Sequence, residues 1–289
     1  SLVGSEMCIR DRLYAPGAIV PADVTKLTAQ FALSEQFSLK PGGRYYFDLS
    51  GENVPGTENG DLPDSTLHYV PFTYAGTVNA YKLTSEMATT EEYAQQKKYP
   101  HSLFVADYVV THTVSWNDLD TASLIFGKNY ASGGVDYTLR APSVGSSYTG
   151  SGDSERGTPK SNEWDKILDK DDGYIKNWRD IGSWGQDTLP NTLSNRVIRG
   201  RYDLPRKYAG ANTTLSFPFL GFRPVLEVLN SDTLGSDGLK VVTLDLGGGT
   251  LGNSSDAIQI IVKNGESFTA PTTEAVSYTH LTLPTNSLV

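Results

Sequence analysis

The chain has 289 residues, a formal net charge of −9 and a single cysteine, Cys8. That acidity disfavours nucleic acid and anionic membrane as partners, because a phosphate-bearing surface repels it. One cysteine excludes an intrachain disulfide framework, and no apolar run approaches the roughly eighteen residues that a membrane-spanning helix needs.

The two ends form a pair. "MCIRD" at 7–11 can be encoded by ATG TGT ATA AGA GAC, and the reverse complement of that string encodes "VSYTH", the residues at 276–280. The flanks at 1–11 and 276–289 therefore resemble translated adaptors of a transposase-based sequencing library, an artefact to be set aside before fold reasoning, as a tag would be. Cys8 goes with them, so thiolate metal sites and cysteine nucleophiles are excluded from the remainder.

After the first flank, "LYAPGAIVPADVTKLTAQF" has a Pro16-Gly17 turn and then Leu27, Ala29 and Phe31 on one face of a short strand. Residues 32–230 read as one domain of ordinary size. Strands are expected at "RYYFDL" (44–49), "LHYVPFTYAG" (67–76), "VNAYKL" (78–83), "SLFVADYVV" (102–110), "YTLRAP" (137–142), "NRVIRG" (195–200) and "GFRPVLEVL" (221–229). Two helices interrupt them. In the first, Ser115 is placed to cap, Asp118 favours the positive helix end, and Leu119, Ala122 and Phe126 share a face. The second is "SNEWDKIL", with Trp164, Ile167 and Leu168 at helical spacing. Long stretches without periodicity at 144–160 and 182–194 are expected as loops, the first a mobile insertion and the second functional. Beyond the domain, "LKVVTLDL" and "AIQIIVKNG" alternate as two half-buried strands, Asn264-Gly265 supplies a type I′ turn, and "ESFTAP" offers a third strand.

Two resemblances follow from these stretches. "VVTLDLGGGTLGNSSDAIQIIVKNGESFTAP" resembles the start, and "LYAPGAIVPADVTKLTAQF" the end, of the β-grasp-like internalin B (Listeria-Bacteroides) repeat. This implies that 12–31 end one repeat and 239–275 begin another. Between them, "VVTHTVSWNDLDTA", "YTLRAPS", "NEWDKIL", "RVIRGR" and "GFRPVLEV" occur in the order of the C-type lectin-like fold shared by the formylglycine-generating enzyme (sulfatase-modifying factor) family. The implied class is α+β: a C-type lectin-like domain with few helices and many short strands, flanked by incomplete β-grasp-like fragments. The chain departs from that pattern by a long insertion between Ser143 and Asn162. Catalytic members of the family work through cysteines, so the cysteine-free remainder is expected to be non-catalytic.

Several constellations carry little chemistry. "GGGTLG" at 247–252 satisfies a dinucleotide-type glycine spacing, but another strand follows it where a phosphate site needs a helix N-terminus. His68, His101 and His112 lack a metal-ligand spacing, and Asp165, Asp169, Asp171 and Asp172 lack the closing glutamate of a calcium loop, so no metal or cofactor is expected. No serine lies in a nucleophile elbow. Trp116, Trp164 and Arg223 read as structural. What remains is a binding surface between 183 and 219: Trp184, Gln186, Asp187, Arg201, Tyr202, Arg206, Tyr208 and Asn212 combine aromatic faces with amide, carboxylate and guanidinium groups. Trp184 serves equally well as a core plug.

The expectation is a non-enzymatic, ligand-binding module of an extracellular protein on the surface of a Gram-positive bacterium, engaged in adhesion. Its ligand would be a carbohydrate or a protein on another cell or host surface, with no nucleic acid and no membrane insertion. A narrower implication of the fold resemblance is that retroelements diversify the last third. The alternative is a surface-glycan hydrolase or transferase using carboxylates such as Asp187 and Asp203. A spacer without ligand is the third reading.

Overall fold

In the computed structural model the described residues are 39–80, 101–170, 173, 175–190, 192–229, 239–244, 250–251, 254–263 and 265–266. Strands β3 (Val70–Val78) and β4 (His101–Ala106) are buried on nearly every residue, not on alternate ones. A strand covered on both faces reads this way, and these two lie inside a six-stranded antiparallel sheet. Its order is β1 (Arg44–Phe47), β3, β4, β14 (Val225–Leu229), β7 (Val135–Arg140) and β6 (Lys128–Ser132).

One face of that sheet is aromatic. Phe47 meets Phe72, Phe104 and Tyr137 edge-on at centroid distances of 5.2, 5.5 and 5.3 Å, the geometry that the ring quadrupoles favour. On the other face Ala75, Leu103, Val105 and Val225 pack against Ile167 and Ile175. The sheet curls until its outer strands meet: the Tyr130 hydroxyl on β6 donates to the Asp48 carbonyl at 3.0 Å, and Lys128 pairs with Glu52 at 2.9 Å. A hairpin of β15 (Leu239–Leu244) and β16 (Ile258–Lys263) docks beside this junction. The Lys263 amide donates to the Gly133 carbonyl at 2.7 Å, and Ile261 enters the aromatic core. A Cβ at Gly133, where φ is 57°, would lie 2.2 Å from the Ile261 carbonyl oxygen, so only glycine permits this approach.

The second sheet runs β12 (Tyr208–Asn212), β11 (Thr192–Arg199), β10 (Gly182–Leu189), β13 (Leu220–Phe222), β5 (Thr111–His112) and β2 (Thr57–Glu58). Only the β10–β13 pair in it is parallel. Trp184, Ile198, Leu220 and Phe222 from this sheet join the aromatic core of the first. The helices are α1 (Trp116–Thr121) and α2 (Glu163–Leu168). Ser115 and Asp118 form a reciprocal capping box at the start of α1, and the Asn162 side chain accepts from the Asp165 amide at 3.0 Å at the start of α2.

The α+β expectation is corrected by this architecture. Among the described residues sixteen strands stand against two helices of six residues each, so the fold is mainly β. The helix signals at Ser115 and in "SNEWDKIL" are real, but each helix has only six residues. Residues 182–194 hold no long loop either: β10 and the first three residues of β11 occupy most of them. β10 is buried through seven of its eight residues, and its Gly, Ser, Gln and Asp side chains conceal a strand covered on both faces. The stretch at 144–160 is ordered as a hairpin of β8 (Ser147–Thr149) and β9 (Arg156–Thr158), with Glu155 buried against the domain. The glycine-rich 247–249, all of "ESFTAP" after Glu266, residues 81–83 of "VNAYKL", the repeat end expected at 12–31 and both end flanks lie outside the described residues.

Candidate functional site

β11 and β12 pair antiparallel, with Asn195 opposite Asn212, Ile198 opposite Ala209 and Arg199 opposite Tyr208. The turn between them has an unusual backbone. Gly200, Arg201, Tyr202 and Asp203 take φ values of 74°, 125°, 56° and 59° in succession, so three side-chain-bearing residues occupy the left-handed half of the map. Such residues cost of order 1–3 kcal/mol each and persist only where the surroundings hold them.

The surroundings are an ionic buttress built by α2 and the β8–β9 hairpin. Asp165 pairs with Arg199 at 2.9 Å and with Arg206 at 3.4 Å, and Asp169 pairs with Arg206 at 2.9 Å and Arg156 at 2.8 Å. Burial opposes the charge on Glu155, but the Tyr208 amide and the Lys207 ammonium at 3.2 Å together hold its carboxyl below the usual range. The Trp164 indole donates to the Pro205 carbonyl at 3.0 Å. The base of the turn is thereby fixed on three sides, and its tip projects.

At the tip the Arg201 guanidinium lies 3.8 Å from the Phe219 ring centroid and 4.4 Å from that of Tyr202. Phe217 stacks on Phe219 at 5.0 Å, with the two planes 23° apart. These residues, with Leu215, Ile198 and Asn212, border an open groove of about 430 Å³. Tyr202 is 58 % exposed and Phe217 42 %, values far from those of the core aromatics.

The eight residues singled out from the sequence divide between this groove and the interior. Arg201, Tyr202 and Asn212 border the groove. Arg206 and Tyr208 lie behind it: Arg206 in the ion pairs above, Tyr208 buried with its hydroxyl donating to Gly145 and its ionisation suppressed by burial. Trp184 has no exposed surface, and its indole donates to the Val114 carbonyl at 2.9 Å. Gln186 is buried, with its amide nitrogen donating to Ile125 and Ala141 at 2.9 and 3.0 Å. Asp187 is buried and accepts from the Val144 amide at 2.6 Å. The alternative catalytic pair is thus separated in environment, since Asp203 is solvent-exposed and pairs with Arg179 at 3.3 Å.

Phe217 and Phe219 were not singled out from the sequence. Their signal is "FPF", two rings about a proline outside any strand pattern. Of the histidines, His101 is buried and bonds Glu163 at 2.7 Å, and His112 bonds Thr113 at 2.8 Å. Among the described residues no cluster of His, Cys, Asp and Glu is arranged to hold a metal ion.

No family model matches the chain, and no curated protein matches it. Among solved structures, variable protein 1 of Treponema denticola is similar, at 12 % identity and a TM-score of 0.26. That alignment covers 54 % of this chain and 95 % of the other. A likeness of this size carries no argument about fold or function.

Proposed function

We propose that this chain is a non-catalytic ligand-binding module, displayed on a bacterial cell surface, and that its binding site is the groove beneath the 200–207 turn. The observation that carries the reading is the Tyr202–Arg201–Phe219–Phe217 row, half-buried in the middle and exposed at Tyr202 and Phe217, held by a strained turn on an ionic base. Strain maintained by surrounding structure at a projecting turn is a feature of recognition sites. Aromatic rings supply area for desolvation at low entropic cost, and Arg fixes orientation. The volume also falls within the usual span of about 300–1,000 Å³ for small-ligand sites.

Binding is favoured over turnover by the engagement of the nominated carboxylates. Asp187 serves a buried backbone amide, and Asp203 serves Arg179 at the surface. Extracellular display rests on the resemblance of the flanking segments to surface-protein repeats. The ligand is a carbohydrate or a protein on an opposing surface.

Screening the whole chain against immobilised glycans and surface proteins tests this, with Phe217→Ala as control. The expected outcome is a ligand whose binding falls at least about 10-fold in the variant while its unfolding midpoint stays unchanged, as for a contact residue worth more than 1 kcal/mol. Ligands bound equally by both proteins would place recognition elsewhere.

A further inference from the structure

We infer that the groove takes an acidic carbohydrate, with the carboxylate of a hexuronate residue on Arg201 and the sugar ring on Tyr202 and Phe217; this rests on the groove being the binding site. The first observation is charge. Residues 195–212 carry Arg196, Arg199, Arg201, Arg206 and Lys207 against Asp203 alone, a cationic stretch of sequence in a chain of net charge −9.

Most of those cations are engaged. Arg199 and Arg206 pair with Asp165, and Lys207 pairs with Glu155. Arg196 lies 4.3 Å from the Trp116 ring centroid and donates to the Leu193 carbonyl at 2.8 Å. Arg201 differs in its terminal nitrogens: among the described residues its guanidinium has neither a carboxylate within ion-pair distance nor a hydrogen bond to any acceptor, and since Nε is buried the two terminal nitrogens are the donors left for a ligand. Its neighbours are ring faces, which hold the guanidinium plane but accept no ordinary hydrogen bond. A planar fork of donors, pre-oriented and lacking an acceptor, matches a carboxylate.

Asn195, Lys207 and Asn212 also border the groove, and Asn212 points the same way. The Asn212 oxygen accepts from the amide and hydroxyl of Thr214 at 3.1 and 2.9 Å, so its amide nitrogen is the end left for a ligand. Donors on Arg201 and Asn212 select an acceptor-rich anion. Exposed Tyr202 and Phe217 beside them add flat apolar faces, which suit the C–H face of a pyranose. A hexuronate combines all three features in one residue: a carboxylate, ring oxygens and an apolar face.

The test is calorimetric titration of the whole chain with short galacturonate and glucuronate oligosaccharides, with their methyl esters, and with an acetylated peptide ending in a free carboxylate. Support is binding of at least one acidic oligosaccharide about 10- to 100-fold tighter than its ester, lost to that extent in Arg201→Gln, as expected for a charge-assisted hydrogen bond. Arg201→Gln breaks no ion pair among the described residues and loses two ring contacts, so the variant should unfold cooperatively with a midpoint only slightly below the parent's. If acid and ester bind equally and Phe217→Ala weakens both, the carboxylate assignment is wrong and the groove stands. If binding is indifferent to both substitutions, the groove itself is not the site. Binding of the peptide alone, or of no acidic oligosaccharide, overturns the hexuronate assignment.

Discussion

Arg140 and Arg201 carry the same side chain into opposite surroundings. Arg140, on β7 with no exposed surface, divides its donors between Glu227 at 2.6 Å and both oxygens of Glu163, which also accepts from His101 and from the Ser143 amide. Every partner is itself buried, and the cluster clamps α2 to the first sheet. Arg201 stands on a strained turn between two rings, with a donor left unpaired. The difference separates an arginine that builds the fold from one that the fold presents.

Breaking the first region should give the largest effects. Trp184→Ala empties a site in the core and should cost about 3–5 kcal/mol of stability by urea unfolding, so lost adhesion in that variant would report unfolding and not a lost contact. Glu163→Gln leaves Arg140 short of a charge in a dry environment and should cost about 3–5 kcal/mol. Burial opposes the Glu163 charge, but Arg140 outweighs it and holds the carboxyl well below the usual range, so it stays ionised throughout the neutral range. A loss under about 1 kcal/mol in Glu163→Gln would mean that the cluster is not the clamp described.

A smaller effect sharpens the comparison from the opposite edge of the same sheet. Burial pushes the Asp107 carboxyl up from 3.8 to about 6, against the Thr73 hydroxyl at 2.6 Å and the Arg44 guanidinium at 2.7 Å. The folded state therefore keeps this proton after the unfolded chain has released it. Between those two values the folded protein binds more protons, so this group makes stability decrease as pH rises through the window. Asp107→Asn keeps an acceptor for Thr73, should raise stability at pH 7 by about 1–3 kcal/mol, and should flatten the slope between about pH 4 and 6. An unchanged slope in the variant would assign the pH dependence to other groups.

The legibility of the sequence followed the same division. Strands with apolar runs or clear alternation, such as "RYYF", "SLFVA" and "IQIIV", were readable, as were the cap at Ser115 and the structural character of Trp116, Trp164 and Arg223, whereas the cap at Asn162 emerged only from the structure. β10 was not, because "GSWGQDTL" has no period: both its faces are covered, and Gln186 and Asp187 are buried to satisfy backbone groups of other segments. Those partners are up to 61 residues away in sequence, beyond the reach of any local pattern. The same blindness put Gln186 and Asp187 on a surface that they do not reach and left Trp184 divided between surface and core, where the core reading holds. The groove was half readable: Arg201, Tyr202 and Asn212 stood out by chemistry, while Phe217 and Phe219 reach it only through the return of the chain beside β12.

The smallest expected change in stability is at the groove itself. Tyr202 sits at φ 56°, where a side chain costs roughly 1–2 kcal/mol and glycine costs almost nothing sterically. Tyr202→Gly removes that strain and loses the contact with Arg201, a cation–π pair worth about 0.5–1 kcal/mol at an exposed site. It also restores freedom to the unfolded chain, so the terms nearly cancel and the unfolding free energy should move by less than about 1 kcal/mol. Ligand binding should nevertheless weaken at least about 10-fold, because a ring bordering the groove is gone and Arg201 is released on one side. That dissociation is the signature of strain retained for recognition. Destabilisation of about 2 kcal/mol or more would instead make Tyr202 a packing residue of the turn, and would put Arg201 in the same class as Arg140.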